Sequence, residues 1–501
     1  MDFLGFFSKT PKNTPRPRPQ TQEQLIIKIW REFCDCTLKN SHDSLMLCRL
    51  NLCNLLKIIK ASILKGDTKE VIDVFTKHQI IKQLISFAEA DTPHGLVNEV
   101  IHFFTVLGNP PFATLLSQSF IIDPLNSFLE TTQPYDSNLF FKLIRSLLSW
   151  VTNHPDDYRL FLVSDTSSPL IHHFSQMLVT NYTEMGHTLL QLLNASKSIP
   201  SLLNFIINYS PLVSTIIAII DDCTNRREYE SATIEFFECV DLSMKISPIL
   251  FSSTFAASFH ESVLQRWFNS NATLYLPNFI YILCTFDSSV LISAIVDHFS
   301  SQFSKLITSE NERVVYLTLR CLTLLVEKSI AVFGEHQQTV AITVDYITLF
   351  DQQLFPMNVT NDEIAQARNR VLMNMSHIEM GQSKFEISNH LSELLFLLGK
   401  FDNNTPKVNA ALSELFATIA SLNCKESEFF IFDSSNTNGM FAKLTEVAAK
   451  WNNAESARAV TRIKEGHEGK PEYTSLLILI DLIKELHLIV KAKREMNELK
   501  S

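Results

Sequence analysis

The sequence predicts an all-α protein, an armadillo/HEAT-like α-solenoid of stacked helical hairpins. Three observations predict it. From about Gln22 onward, apolar residues recur at three- and four-residue steps, the period of one helix face. The stripes come in pairs, each pair separated by a short polar break and occupying about 40 residues, the scale of armadillo and HEAT units. Glycine is scarce, 11 in 501 residues, where average usage would give roughly 35. Doubly wound nucleotide-binding folds need glycine for phosphate loops and close helix–strand packing, so the composition disfavours that class. Hydrophobic residues make up 46% of the chain, enough for a large core.

The first stretch, 1–21, differs from the rest. "MDFLGFFSK" carries Phe3, Leu4, Phe6 and Phe7, and "TPKNTPRPRPQTQ" follows. Alternating proline and basic residues exclude helix and favour an extended arm. Its apolar tip is the candidate for membrane or partner contact, and it is too short to anchor alone.

The helical pattern then runs unbroken in type. Val71, Val74, Phe75, His78, Ile81, Leu84, Ile85 and Ala88 share one face of an expected single helix. "ADTPHG" ends it, because Pro93 disfavours helix before it and Gly95 tolerates a turn. Leu96, Val97, Val100, Ile101, Phe103, Phe104 and Leu107 restart the stripe, and "GNPP" closes it. "FATLLSQSFIIDPLNSFLE" and "SNLFFKLIRSLLSWVTNHP" repeat the design. So do "LYLPNFIYILCTF", "SSVLISAIVDHFSSQFSKLI" and "NERVVYLTLRCLTLLVEKSIAVF", and later "EISNHLSELLFLLGKF" with "PKVNAALSELFATIASL". Each stripe is too wide to be buried alone, and stacking on neighbours buries it. The expected organisation is one solenoid over 22–495 and a polar tail over 496–501. The last long helix, from Tyr473, is expected to cap the array. Asp433–Gly439 and Arg462–Tyr473 are expected loops.

No transmembrane span is expected. The most apolar stretch, Ser201–Ile220, is interrupted by Asn204, Asn208 and Pro211, and reads as two short helices meeting at Ser210-Pro211. A net charge of −10 disfavours nucleic acid, which needs a basic face. The nine cysteines include Cys34, Cys36, Cys48 and Cys53 but no CxxC pair. They are expected to be small buried apolar residues of a reducing compartment, not a metal cluster. No secretory signal is read, so N-x-S/T triplets such as Asn181-Tyr182-Thr183 and Asn358-Val359-Thr360 are expected to be chance matches, and the expected location is cytoplasmic.

No phosphate-loop, dinucleotide, zincin or nucleophile-elbow motif is present. His172-His173 are adjacent on a helix and diverge by about 100°, a poor joint metal site. His260-Glu261, Asp221-Asp222, and His467 with Glu465 and Glu468 are each expected to be helix-end or loop polar groups. No catalytic, cofactor or metal residues are assigned.

The Asp73–Glu130 block resembles the N-terminal core of the HOOK-interacting proteins of the FHF complex. His78, Ile80, Ile81, Ala90, Pro93, Gly95, Phe103, Phe104, Leu115 and Leu116 occupy the family's order. Ala232–Phe268, Glu310–Lys328, Leu391–Phe432 and "SLLILIDLIKELHLIVKAKRE" are similar to later family segments, collinear from about Leu25 to Glu495. The long polar insertions of many members are absent. The resemblance implies a non-enzymatic scaffold. It would bind a HOOK-type coiled-coil adaptor and a ubiquitin-conjugating-enzyme-like subunit, and link vesicle or endosome cargo, through a Rab-type small GTPase, to dynein. Peripheral association with vesicles or endosomes would follow. Three other readings stay open: a generic armadillo-like interaction scaffold without HOOK partners, a membrane-associated protein inserting Phe3–Phe7, and an enzyme hidden in a helical fold.

Overall fold

The computed structural model describes residues 21–39, 41–131, 137–154, 162–164, 166–228, 230–246, 250–286, 289–328, 331–332, 342, 344–375, 385–422 and 424–498. Phe3, Leu4, Phe6 and Phe7, the expected contact residues, lie outside the described residues. The described chain is all-helical apart from a two-residue parallel pairing of Ala331–Val332 with Phe385–Glu386. Its contacts fall into two compact units, one ending at Thr215 and one beginning at Ile216.

The first unit contains α1 (Gln22–Thr37), α2 (His42–Lys65), α3 (Lys69–Lys77), α4 (Ile80–Glu89) and α5 (Leu96–Leu107). It continues with α6 (Ser119–Thr131), α7 (Ser137–Asn153), α8 (Pro169–Ser196) and α9 (Pro200–Asn208). Packing is mostly between sequence neighbours and next neighbours. α1 lies on α2 and α3, α4 on α5 and α6, α5 on α7, and both α6 and α7 on α8. The paired stripes therefore bury one another against neighbouring helices. Phe33, Leu84, Val100, Ile101, Phe104, Leu125, Phe128 and Leu143 are fully enclosed. The Phe104 and Phe128 rings lie 6.0 Å apart, joining α5 to α6.

One expectation fails. The single helix expected from Val71 to Ala88 is two helices, α3 and α4. His78 closes the first, and Gln79 takes φ +49°, a left-handed conformation that no helix tolerates inside it. No glycine or proline marks the joint. Val71, Val74 and Phe75 still share a buried side with Ile80, Ile81, Leu84 and Ile85, so the apolar spacing alone did not betray the break.

The next turn is built by a carboxylate. Asp91 sits at φ +44° and Gly95 at φ +91°. Asp91 Oδ1 accepts from the backbone N–H groups of Gly95 (2.9 Å) and Val97 (3.2 Å), two donors that the start of α5 would otherwise leave unpaired. Its other oxygen faces His94 Nδ1 at 2.7 Å.

α10 (Leu212–Arg226) crosses the boundary at Thr215. The apolar stretch 201–220 is thus divided between α9 and α10, with the break at 209–211, as expected. Among the described residues no single helix is long and apolar enough to cross a membrane.

The second unit holds α11 (Ser231–Ile246), α12 (Leu250–Phe259), a π-helical turn (His260–Leu264), α13 (Gln265–Phe268), α14 (Ala272–Thr285) and α15 (Ser289–Phe299). α16 (Phe303–Ile307), α17 (Glu312–Glu327), α18 (Asn361–Met375), α19 (Leu391–Gly399) and α20 (Pro406–Ser421) follow. α21 (Lys425–Phe432), α22 (Met440–Ala449), α23 (Ala454–Lys464) and α24 (Pro471–Glu498) complete it. Here the packing advances by three helices from α14 to α17 and from α17 to α20, and then by four from α20 to α24, while α16, α19 and α22 form a second series with a step of three.

α24, the helix expected to cap the array, is more deeply covered than a one-sided amphipathic helix would be. It packs on α18, α20 and α23, and Leu476, Leu479, Ile480, Leu482, Ile483, Leu486, Leu488, Ile489 and Val490 are all buried. The segment is apolar on several sides, and such a helix belongs inside. It also continues helically to Glu498, into the stretch expected as a tail.

Lys493 of α24 is 3% exposed. Its Nζ donates to the Leu422 carbonyl (2.5 Å) and to Glu428 Oε1 (3.3 Å), and stands 5.0 Å above the Phe432 ring. Burial pulls its pKa below the ordinary lysine value, and Glu428 opposes that shift.

Two stability predictions follow from these caps and pairs. Asp91→Ala should lower the urea midpoint of the first unit by the equivalent of about 1 kcal/mol, with Asp91→Asn much milder. Hydrogen exchange at Gly95 and Val97 should report the same order. Glu428→Gln leaves a buried ammonium without its counter-charge and should cost about 3 kcal/mol. Adding Lys493→Met should recover most of that loss, and a double variant as unstable as the single one would contradict the pairing.

Candidate functional site

The most organised polar surface joins α18 to α24. Glu363, Gln366, Ala367 and Arg370 follow one another on α18 at steps of three, one and three, along one face. Asp481, Lys484, Glu485 and Leu488 have the same spacing on α24. The two rows line a cleft of ≈ 450 Å³. Lys484 Nζ donates to Glu363 Oε1 at 2.6 Å, and Arg370 donates to Glu485 Oε1 at 2.9 Å. Further along, Arg368 donates to Glu495. Arg370 also reaches Thr418 Oγ1 of α20 at 3.2 Å, tying three helices together.

Local sequence positions Glu363 before any tertiary contact. Thr360 and Glu363 form a reciprocal cap: the Glu363 N–H donates to Thr360 Oγ1 (3.3 Å), and Glu363 Oε2 accepts from the Thr360 N–H (2.9 Å). The Lys484 hydrogen bond, aided by the Thr360 N–H, holds the Glu363 carboxyl at about 2. Partial burial pushes the Asp481 carboxyl the other way, above its usual range. Two carboxylates on facing walls of one cleft are therefore biased in opposite directions, by a cation in one case and by desolvation in the other.

Beyond Arg370 a second cleft of ≈ 430 Å³ is lined by Glu327, Gln366, Asn369, Met373 and Thr418. Burial, and then the nearby Glu414, raise the Glu327 carboxyl. Glu414 itself accepts from Arg320. The polar seam thus extends from α24 across α18 and α20 to α17.

A third surface in this unit is apolar. Leu391, Leu395, Phe396 and Phe430 line a groove of ≈ 640 Å³, bounded by Thr437, Asn438, Lys443 and Glu446. Phe396 is 51% exposed, and Lys400 Nζ stands 4.1 Å above its ring. The expected loop Asp433–Gly439 forms one wall. It is tied by its own side chains, Asp433 accepting from the Ser435 N–H (2.8 Å) and Asn436 from the Asn438 N–H (3.1 Å).

The residues singled out in the sequence are dispersed. His172 and His173 border a polar cleft of the first unit with Leu129, Gln176 and Tyr209. Their ring centroids are 6.0 Å apart and tilted by 67°. His173 Nε2 donates to the Leu129 carbonyl at 2.6 Å, its ring meets Phe140 edge-on, and burial lowers its pKa. Asp221 and Asp222 turn to different arginines, Arg266 at 2.9 Å and Arg226 at 2.7 Å. His260 and Glu261 occupy the π-helical turn. Glu465, His467 and Glu468 are exposed in the 465–470 connector between α23 and α24, which is shorter than the loop expected from Arg462 to Tyr473. Among the described residues no group of three or more His, Cys, Asp or Glu side chains is placed to hold a metal ion. Cys36 and Cys48 are buried, Cys34 and Cys53 half-buried, and all four are free thiols. Burial, together with the neighbouring Cys36 and Cys34, pushes the Cys48 thiol up to about 12, away from the thiolate form.

Sequence reasoning missed the α18–α24 seam. Its signal was the repeated three- and four-residue spacing of charges on two helices. The pairing itself joins residues more than a hundred positions apart. Comparison of the chain with protein-family models and with curated proteins yields no match.

The Glu363 environment carries a pH prediction. A carboxyl held at about 2 when folded and near its ordinary value when unfolded stabilises the fold above about pH 4.5. That contribution is lost as pH falls toward 2. Wild type should therefore melt above Glu363→Gln at pH 6, and the gap in melting temperature should close between pH 4.5 and 2. A gap independent of pH would refute the Glu363–Lys484 linkage.

Proposed function

We propose that the protein is a non-enzymatic scaffold built as an armadillo/HEAT-like α-solenoid, acting as the adaptor of an FHF-type complex. In that role it links vesicle or endosome cargo, through a Rab-type small GTPase, to HOOK-type dynein adaptors, with a ubiquitin-conjugating-enzyme-like subunit in the same assembly. The observation that carries the scaffold reading is the regular advance of the packing. In the second unit α14, α17 and α20 form one series and α16, α19 and α22 another, each with a step of three helices, and α20 then packs on α24, four helices on. Armadillo repeats have three helices, and HEAT repeats have two. The first unit advances by two, α4 to α6 to α8. Arrays of this kind act by presenting long surfaces to other proteins.

The complex itself is supported by the sequence resemblance over Asp73–Glu130. That block corresponds to α3 through α6. His78 and Gly95 of the resembling pattern stand at its joints, and Phe103, Phe104 and Leu116 in its core. Binding would use helix faces and inter-helix grooves with apolar centres and polar rims, the form of the Leu391–Phe396–Phe430 groove.

Affinity purification of the tagged chain from its own cells, with mass spectrometry of the eluate, tests this. A HOOK-type coiled coil together with a ubiquitin-conjugating-enzyme-like subunit is the expected recovery. Absence of both from a folded, accessible bait would overturn the FHF assignment and leave a solenoid scaffold with other partners.

A further inference from the structure

α2 carries apolar residues on its outer as well as its inner side, and only the inner side is covered. Cys48, Leu52, Leu55, Leu56 and Ile59 are buried, by α1, α5 and the turn after α5. The outer side presents Leu47 (47% exposed), Leu50 (52%) and Leu64 (70%), with Met46 beside them (53%). Between them lie Asn54, half-buried, and Lys57 and Ala61, both exposed. The series 47, 50, 54, 57, 61, 64 alternates steps of three and four without a fault. That is a 3.5-residue period, the a/d seam of helices that pack along their length. It covers about 26 Å of helix at 1.5 Å per residue. Among the described residues nothing lies over it.

The flanks of this seam are basic. Lys60 and Lys65 fall on its two sides, at the positions that select partners by charge, and Lys57 lies within it. α2 carries a single acidic residue, Asp43, before the seam begins. Arg49, further round the helix, is engaged by Glu99 of α5 at 3.6 Å. The composition also argues against simple core. Asn54 and Lys57 interrupt the apolar row, and Lys57 Nζ donates to Asn54 Oδ1 at 3.4 Å. A polar residue within a helix seam costs stability and fixes register, which is useful when the covering helix is a separate partner.

We infer that the outer seam of α2 docks an acidic amphipathic helix from a partner protein. The partner lays apolar residues along Leu47, Leu50, Ala61 and Leu64 and sets carboxylates against Lys57, Lys60 and Lys65. The basic arm ahead of α1, with Lys9, Lys12, Arg16 and Arg18, has the wrong sign to fill this role. Nothing in this surface depends on the complex proposed above.

The test uses the full-length chain and two synthetic four-heptad peptides, both with leucine at a and d. One carries glutamate at e and g, the other lysine. Fluorescence anisotropy of the labelled peptides reads binding. The glutamate peptide should bind at least about tenfold tighter than the lysine peptide. Leu47→Ser/Leu50→Ser/Leu64→Ser should lose at least about tenfold in affinity for it. Lys57→Glu/Lys60→Glu should reverse the preference between the peptides. All five side chains are exposed, so circular dichroism and melting should match wild type, and the charge-reversed variant reads the site even if the serine variant is less stable. No binding of the glutamate peptide, or binding indifferent to both variants, overturns the proposal. So does binding that appears only after residues 1–20 are removed, which would make the arm the occupant. Co-sedimentation with phosphatidylserine-containing vesicles that is lost in the serine variant would assign the face to a membrane instead. A wild-type dimer dissolved by the same variant would assign it to a second copy.

Discussion

The second unit depends on the burial of α24. Nine of its aliphatic side chains between Leu476 and Val490 are enclosed, most of them against α18, α20 and α23. At about 1.5–3 kcal/mol for each such side chain, this burial outweighs everything polar on the helix. The ion pairs are half-exposed, and pairs of that kind contribute about 0–1 kcal/mol apiece. Apolar packing therefore holds α24 in place, and the charges decide how it sits. Lys484 and Glu485 fix it against α18, Ser475 meets Asn409 of α20 at 3.0 Å, and His487 meets Asp345 at 2.9 Å. Arg494 donates to the carbonyls of Ile342 and Val344, so the helix also ties down chain with no regular structure of its own.

Lys493 is the exception that shows the rule. It is buried like the leucines beside it, yet it carries a charge, and it is tolerated because three groups face it: a carbonyl, a carboxylate and an aromatic ring. The Leu422 carbonyl lies just past the end of α20, where the chain leaves the helix and its last carbonyls lack intrahelical partners. The ammonium supplies a donor there. One side chain thus closes α20 and joins it to α21 and α24.

Many helix positions and the pairing of apolar stripes were legible in the sequence because they rest on local periodicity. The division of 201–220 at Pro211 was legible because proline has a local meaning. The joint at His78-Gln79 was not, since Gln79 adopts a left-handed conformation that its side chain does nothing to announce. The role of Asp91 was hidden for a related reason. Its residue type suits a turn, but which N–H groups it accepts from depends on the path through Pro93 to Gly95. The depth of α24 was hidden for a different reason. Its apolar residues occupy several sides, and that was visible, but its place at the end of the chain suggested an edge. Sequence order is a poor guide to depth when the last helix is covered on several sides by α18, α20 and α23. The pairing of the charged seam was not legible, because the charge spacing of Glu363 and Lys484 suits many helices and has meaning only once the two are brought together.

Interaction surfaces in such a stack are what packing leaves over, and the leftovers differ in kind. Along α18 and α24 the exposed charges are already matched across helices, so a ligand there would have to displace Lys484 from Glu363 or Arg370 from Glu485 and leave a partner unpaired. The Phe396 groove is partly satisfied too, its exposed ring covered by Lys400 and its wall tied by Asp433 and Asn436. The outer seam of α2 has no such internal closure among the described residues. Its leucines face outward at helical spacing, and its lysines extend from the same side. Covering it would bury apolar area and neutralise charge in one step, at the cost of no ion pair and of one long hydrogen bond, Lys57 to Asn54. Of these three surfaces, that makes it the one where association has least to undo.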